Sequence, residues 1–286
     1  MNEESPLFRQ VTIVGVGLIG GSLGMAIKKN CLAQEVFGLS HRHTSLVYAL
    51  KNNAIDKAFH DIKKAVSNAD LVIMATPVTA IVNLLPIISR YLKRGCIVTD
   101  VGSTKTLIVE TAEKNFSSAF FVGSHPLAGS EKKGAAFSTA DLFVNSLCIM
   151  TPTDKTNRIA EEKVRALWMR LGAQVKNLSP VEHDKVLSYI SHLPHVVAYA
   201  LINGVPNDYL QYAAQGLKDT TRVAGSSPHM WNDICLMNSK NIVQALDELV
   251  KSLSVLRKTI LAKDEQNLVE SFKKAKAKRD SIDTAP

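Results

Sequence analysis

Three histidines, His183, His192 and His195, fall inside one otherwise apolar stretch, HDKVLSYISHLPH at residues 183–195, and a fourth, His125, stands in the motif GSHP. Histidine ionises at about pH 6.5, so each of these imidazoles could serve as a base, a hydrogen-bond donor or a metal ligand. A zinc centre would need a cysteine or carboxylate to converge with them, and Pro194 disturbs the helical spacing that would put His192 and His195 on one face. No metal is expected. The plainer role for His192 is a core residue with a satisfied hydrogen bond. His125 follows a strand-like run, Ala119 to Val122, that should stop at Gly123 on the edge of a sheet, and Pro126 biases the residue before it to extended backbone. Placed there, His125 is either a base aimed into a crevice, with Ser103 as an orienting hydroxyl, or a structural loop histidine.

The elements that would position these groups are legible upstream. In VTIVGVGLIGGSLGMAIKK, the short β-branched strand Val11–Val14 leads into Gly15, Gly17 and Gly20 and then into a helix from Leu18 to about Lys29. This is GxGxxG in the strand–turn–helix context that gives it meaning. Gly15 permits a tight turn, Gly17 lets backbone approach a pyrophosphate, and Gly20 lets helix pack on strand. The helix start, at Leu18 and Ile19, presents unpaired N–H groups and a positive dipole end to phosphate. The blander alternative is a glycine-rich turn with no ligand. Further strand–helix units, at EVFGLS, ADLVIMATP and GCIVTDVGS, imply a parallel sheet with right-handed crossovers. Its carboxyl edge would gather Thr76, Pro77, Asp100, Gly102 and Ser103 around one crevice. The second strand should end in a carboxylate if NAD is the cofactor; it ends instead in Ser40, His41 and Arg42, which suits a 2′-phosphate. NADP is expected, with NAD possible, unless Arg42 merely faces solvent.

From Pro180 onward strand signals fade and helical spacing dominates, with Ser179 placed as an N-cap. The segment from Val186 to Ile202 is apolar nearly all round, which points to burial in a bundle or an oligomer interface. Ile242, Leu246, Leu249, Leu253, Leu256 and Ile260 recur at steps of four and three, a seam that needs a partner. Trp231 and Met230 read as packing. The expected organisation is an α/β Rossmann-type, doubly wound domain over 1–179, followed by an all-α helical substrate and dimerisation domain over 180–286.

Bulk properties narrow the class. The chain has 286 residues, 46% hydrophobic and 21% charged, enough to bury a sizeable core. No apolar run reaches the roughly 18 residues a membrane helix needs, and no signal-peptide pattern opens the chain, so a cytoplasmic protein is expected. Cys31, Cys96, Cys148 and Cys235 form no CxxC pair, which gives no zinc ribbon or disulfide framework. Part of the +8 net charge sits in KKAKAKRD near the end, a solvated helix terminus by composition. No nucleic-acid signature accompanies it, and a positive potential would also attract small anions.

Five blocks in order, VGLIGGSLG, DVGSTK, GSHPLAGSEKKG, HDKVLSYISHLPH and GLKDTTRVAGSSPHMWNDI, resemble the TyrA family of prephenate and arogenate dehydrogenases over nearly the whole chain. The resemblance implies oxidative decarboxylation of a cyclohexadienyl ring in tyrosine biosynthesis: hydride leaves the carbinol carbon for nicotinamide, carbon dioxide leaves the ring, and the product is aromatic. By the same resemblance His125 is the catalytic histidine at the ring hydroxyl and Ser103 the serine beside it. Arg222 is the arginine that binds a substrate carboxylate, and His183 and His195 are substrate contacts at the mouth between the domains. An intertwined homodimer through the helical domain is implied as well. Neither a mutase segment nor a regulatory domain is expected, so tyrosine inhibition would act at the active site. The alternatives are a β-hydroxy-acid dehydrogenase of related architecture, which would want a lysine base on its first interdomain helix, and a non-catalytic NADP-binding regulator.

Overall fold

A computed structural model describes residues 5–128 and 134–283; positions 129–133, inside the GSHPLAGSEKKG block, lie outside the described residues. In chain order the elements are β1 (Phe8–Val14), α1 (Leu18–Lys29), β2 (Ala33–Leu39), α2 (His43–Lys51), β3 (Lys57–Phe59), α3 (Ile62–Val66), β4 (Leu71–Met74), α4 (Val78–Ile88), β5 (Ile97–Asp100) and α5 (Thr106–Asn115). Then follow β6 (Phe120–Pro126), β7 (Leu147–Thr151), α6 (Arg158–Arg170), β8 (Gln174–Asn177), α7 (Pro180–Leu187), α8 (Leu193–Asn203), α9 (Gln215–Thr221), α10 (Pro228–Met237), α11 (Ser239–Leu261) and α12 (Glu265–Asp283).

The strands make one sheet in the order β3-β2-β1-β4-β5-β6-β7-β8, parallel except where β6 meets β7. Alternate residues of the central strands serve opposite faces. Val11 and Ile13 pack into a core with Leu23 and Ile27 of α1, whereas Val14, Val72 and Met74 pack into a second core with Ile81 and Leu85 of α4. Each fully buried aliphatic side chain contributes about 1.5–3 kcal/mol. This is the doubly wound Rossmann-type fold, and the reversal of strand order between β1 and β4 opens a crevice at the carboxyl ends. After β8 the described chain is helical to its end.

One expectation needs correcting. β6 does not break at Gly123: Val122 is still paired with Thr99 of β5, and the strand then runs on to Pro126 paired antiparallel with β7. Gly123 is required at the changeover, because a Cβ there would stand 2.3 Å from the Thr151 hydroxyl. The extra strand length carries His125 past the end of β5.

The chain forms two compact units, Met1–Ser239 and Lys240–Pro286. The sheet, α7 to α10 and the turns between them all belong to the first. In the second, α11 buries Ile242 while Leu253 and Ile260 of the expected seam are 53% and 58% exposed. No helix among the described residues is long and apolar enough to cross a membrane.

Candidate active site

The glycine-rich turn is built as its spacing requires. Gly15 has φ +97°, and a Cβ there would approach the Ala75 carbonyl to 2.6 Å. At Gly20 a Cβ would meet the Gly15 carbonyl at 1.9 Å, while Gly17, the N-cap of α1, faces nothing within 4 Å. Gly15 and Gly20 are thus backbone necessities. Gly17 leaves space in front of the helix N-terminus, where a phosphate can sit against free N–H groups. That space opens into a cavity of about 440 Å³ lined by Leu18, Ile19, Thr76, Pro77, Gly102 and Ser103, among others. The residues present fit a dinucleotide. Ser40, His41 and Arg42 lie outside this cavity, at the end of β2. There the Ser40 hydroxyl accepts the Arg42 N–H (3.1 Å), and the Ser40 carbonyl is held by His60 Nδ1 (2.7 Å).

A second cavity of about 460 Å³ adjoins the first. Ser103 and His125 line both, so they stand on the shared wall. Arg222, His195, His192 and Trp231 line the second cavity alone. The helical stretch around them is irregular for a reason: Pro194 has no N–H for the carbonyl four residues back, and the chain widens into a π turn at Ser188–His192 before α8 begins. The two histidines consequently flank Trp231 differently. His195 stacks on the indole at 3.7 Å between centroids and gives its Nδ1 to the Ser191 carbonyl (2.9 Å). His192 meets the indole edge-on and is fixed through Nδ1 by the Asn238 amide (3.1 Å). Burial brings His192 down to about 4, against the upward pull of Asp184, so it is neutral at ordinary pH. Burial also lowers His195, with the Arg222 charge adding to it.

His183 is not at the cavity mouth. It is fully buried behind His125, and its Nε2 lies 2.9 Å from His125 Nδ1. Its own Nδ1 contacts the Asp184 carboxylate at 2.9 Å. The cause of this placement is that Asp184 is spent on α5: its two oxygens accept the backbone N–H groups of Lys105 (2.7 Å) and Thr106 (2.9 Å) at the start of that helix. α7 is thereby pinned to the start of α5, with His183 turned inward. Ser103 was expected to orient the His125 ring; that contact belongs to His183.

Beneath these rings lies a buried ion pair that the sequence reading did not single out. Lys105 Nζ is bonded to Asp100 and to the Ser124 carbonyl, and Asp100 in turn accepts N–H groups from Gly102 (2.8 Å) and Ser124 (3.1 Å). Lys105, Asp100 and Ser124 are all fully buried. Burial pushes the Lys105 ammonium below its ordinary value, with the Asp100 charge opposing. Burial, followed by the neighbouring His183, Lys105 and His192, holds His125 well below 6.5. Burial alone would raise the Asp184 carboxyl, but His183 and the Thr106 donors bring it below the usual carboxylate range. His183 is lowered too, its burial outweighing Asp184.

The arrangement offers a neutral imidazole on the wall between a dinucleotide groove and a chamber that carries a guanidinium. Comparison with known proteins agrees with it. Residues 23–177 match the family model for the prephenate dehydrogenase nucleotide-binding domain, and residues 179–274 match that for the prephenate dehydrogenase dimerization domain. The chain is 38% identical over 280 residues to the prephenate dehydrogenase of Bacillus subtilis, an alignment spanning 95% of this chain and 76% of that one. It is 34% identical over 288 residues to the cyclohexadienyl dehydrogenase of Zymomonas mobilis, spanning 97% of each. The solved structure of Aquifex aeolicus prephenate dehydrogenase in complex with hydroxyphenyl propionate and NAD+ superposes with a TM-score of 0.88 at 34% identity, covering 96% of this chain and 98% of that one.

Proposed function

Because the chain belongs to the prephenate dehydrogenase family and is an NAD(P)-dependent dehydrogenase, we propose that it oxidises and decarboxylates prephenate or arogenate, with NADP as the preferred cofactor. The observation that carries this reading is the position of His125, which with Ser103 lies on the wall common to both cavities while Arg222 lines only the second. A ring held in the second cavity has its hydroxyl at His125 and a carboxylate within reach of Arg222, whose planar fork can grip it through two parallel hydrogen bonds. The first cavity, with Thr76, Pro77, Gly102 and Ser103 in its lining, would hold the nicotinamide, which would supply the hydride acceptor. His125 takes the hydroxyl proton, Ser103 lines the meeting point of ring and cofactor, and the stacked His195–Trp231 pair walls the chamber.

The preference for NADP rests on Ser40, His41 and Arg42, which end β2 without a carboxylate to receive a ribose 2′-hydroxyl. The active form is a homodimer through residues 180–286, in keeping with the family's dimerization domain and the exposed apolar positions of α11. The protein works in the cytoplasm. The family does not favour the β-hydroxy-acid and regulator readings, and the first interdomain helix offers His183 and Asp184 at the site. Reduced-nicotinamide absorbance with prephenate or arogenate, each against NADP and NAD, tests the proposal. Turnover is expected with one substrate and is faster with NADP; silence in all four pairings with cofactor binding intact would overturn it.

A further inference from the structure

We infer that Asp184 and His183 form a buried relay that fixes the protonation of His125, with Nδ1–H turned towards His183 and the Nε2 lone pair turned towards the two cavities. This deepens the function proposed above and rests on it for the identity of the proton donor.

Each donor along the chain follows from the one before it. The Asp184 carboxylate already accepts two backbone N–H groups at the start of α5, so it can only accept from the His183 ring, and His183 Nδ1 must carry hydrogen. In neutral His183 the lone pair is then on Nε2. The contact at 2.9 Å can form only if His125 Nδ1 is the donor, which leaves His125 Nε2 unprotonated. The opposite arrangement would put two N–H groups, or two lone pairs, face to face inside the protein. The ion pair of Lys105 with Asp100 completes the setting. It anchors the Ser124 carbonyl next to His125, and the Lys105 charge discourages stray protonation of either ring.

A relay sealed from water also suits the chemistry. His183 and Asp184 are 0% and 3% exposed, so the relay offers no exit for a proton. None is needed. As hydride leaves the carbinol carbon, the hydroxyl proton moves to His125 Nε2 and the oxygen becomes a carbonyl. The ring–carboxylate bond then breaks, its electron pair enters the ring as carbon dioxide departs, and the resulting phenolate takes the proton back. The substrate loses a hydride and carbon dioxide, and the proton is only borrowed. During the loan the imidazolium charge is shared through His183 with Asp184. Asp184 and His183 are therefore positioning residues, acting through His125.

The test is histidine ¹⁵N NMR on the NADP complex of the full-length protein, with the His125 signal assigned by its loss in His125→Asn, together with kinetics. Wild type should show His125 protonated at Nδ1 and bare at Nε2. In Asp184→Asn the side-chain amide donates to His183, the pattern reverses, and kcat should drop by roughly 10⁴-fold, as when an orienting carboxylate becomes an amide elsewhere. The substrate KM should move little, and activity should partly recover at high pH. His183→Gln, whose carbonyl can still accept from His125, should keep the His125 pattern and lose less rate. Wild-type His125 protonated at Nε2, or an unchanged pattern and rate in Asp184→Asn, would overturn the relay. If Asp184→Asn does not fold, the wild-type spectrum and His183→Gln decide. Finding the expected pattern in a protein that turns over neither substrate would leave the relay standing and refute the proposed function instead.

Discussion

Replacing His125 with asparagine is the sharpest perturbation of the site, because the structure separates what it removes from what it leaves. Asparagine loses Nε2, the atom that faces the cavities, but its amide nitrogen stands near the place of Nδ1 and can still donate to His183 Nε2 across the present 2.9 Å contact. The buried network behind the site therefore stays paired, and α7 remains pinned by Asp184 to the start of α5. A general base contributes roughly 10²–10⁴-fold, or about 2.7–5.4 kcal/mol of transition-state stabilisation. Most of this should appear in kcat, since a neutral imidazole binds the ground-state hydroxyl hardly better than an amide does. The dinucleotide groove keeps its glycine turn and the N-terminus of α1, so NADP affinity should change by less than about fivefold, or 1 kcal/mol. Steady-state kcat and KM together with a fluorescence titration of NADP measure both quantities. A kcat within twofold of wild type would refute the base, and loss of NADP binding in step with kcat would show that His125 holds the groove instead.

Arg222→Ala should mainly raise the substrate KM, with kcat retained, because a carboxylate contact is present in ground and transition states alike; an effect confined to kcat would refute the role. Gly20→Ala and Gly17→Ala should part company. A Cβ at Gly20 meets backbone at 1.9 Å and should cost about 1–3 kcal/mol, lowering Tm by several degrees, while one at Gly17 meets nothing within 4 Å and should raise the cofactor KM at unchanged Tm. Activity should persist below pH 6.5, because a base must be neutral and His125 is held well below that value; an acid limb of kcat/KM at or above 6.5 would contradict the burial argument. Acid should also destabilise the fold. His192 is pushed down to about 4 when folded and returns to its ordinary value when unfolded, so between those values the unfolded chain binds the extra proton. Its contribution is intact above pH 6.5 and falls by about 2 kcal/mol by pH 5, which His192→Gln should abolish in thermal melts.

Much of this architecture is written locally. The helix of the glycine turn, Leu18–Lys29, and the cap at Ser179, which accepts the Glu182 N–H at 3.2 Å, depend on neighbours within a few residues, and periodicity and cap chemistry report such neighbours faithfully. The course of β6 was not legible in the same way. Whether a strand stops at a glycine or changes partner there is decided by the approach of Thr151, 28 positions further on, and nothing in the local pattern of Phe120–Pro126 reports it.

The site divides along the same line. Of its wall residues, His125 and Ser103 stand out by type and by their place at strand ends, whereas Arg222 and the substrate role of His195 come only from the family resemblance, since an arginine in a helical stretch reads by itself as a surface residue. The groups that set their chemistry passed as background. Asp184 follows His183 directly in the chain, and adjacent helical residues point about 100° apart, so an isolated reading has no reason to join them. They meet because Asp184 folds back on the first N–H groups of a helix that begins 78 residues earlier, which bends its carboxylate towards its own neighbour's ring. Lys105 was equally visible at the end of DVGSTK, yet a lysine is expected at the surface unless it is paired, and its partner Asp100 had been read only as part of the crevice. A carboxylate and an ammonium five residues apart, spanning a strand end and the helix that follows, are an available signal for a buried pair beneath a doubly wound active site. Such a pair costs desolvation energy that a hydrophobic substitute would avoid, so its presence next to a base kept neutral argues that charge is wanted at this place.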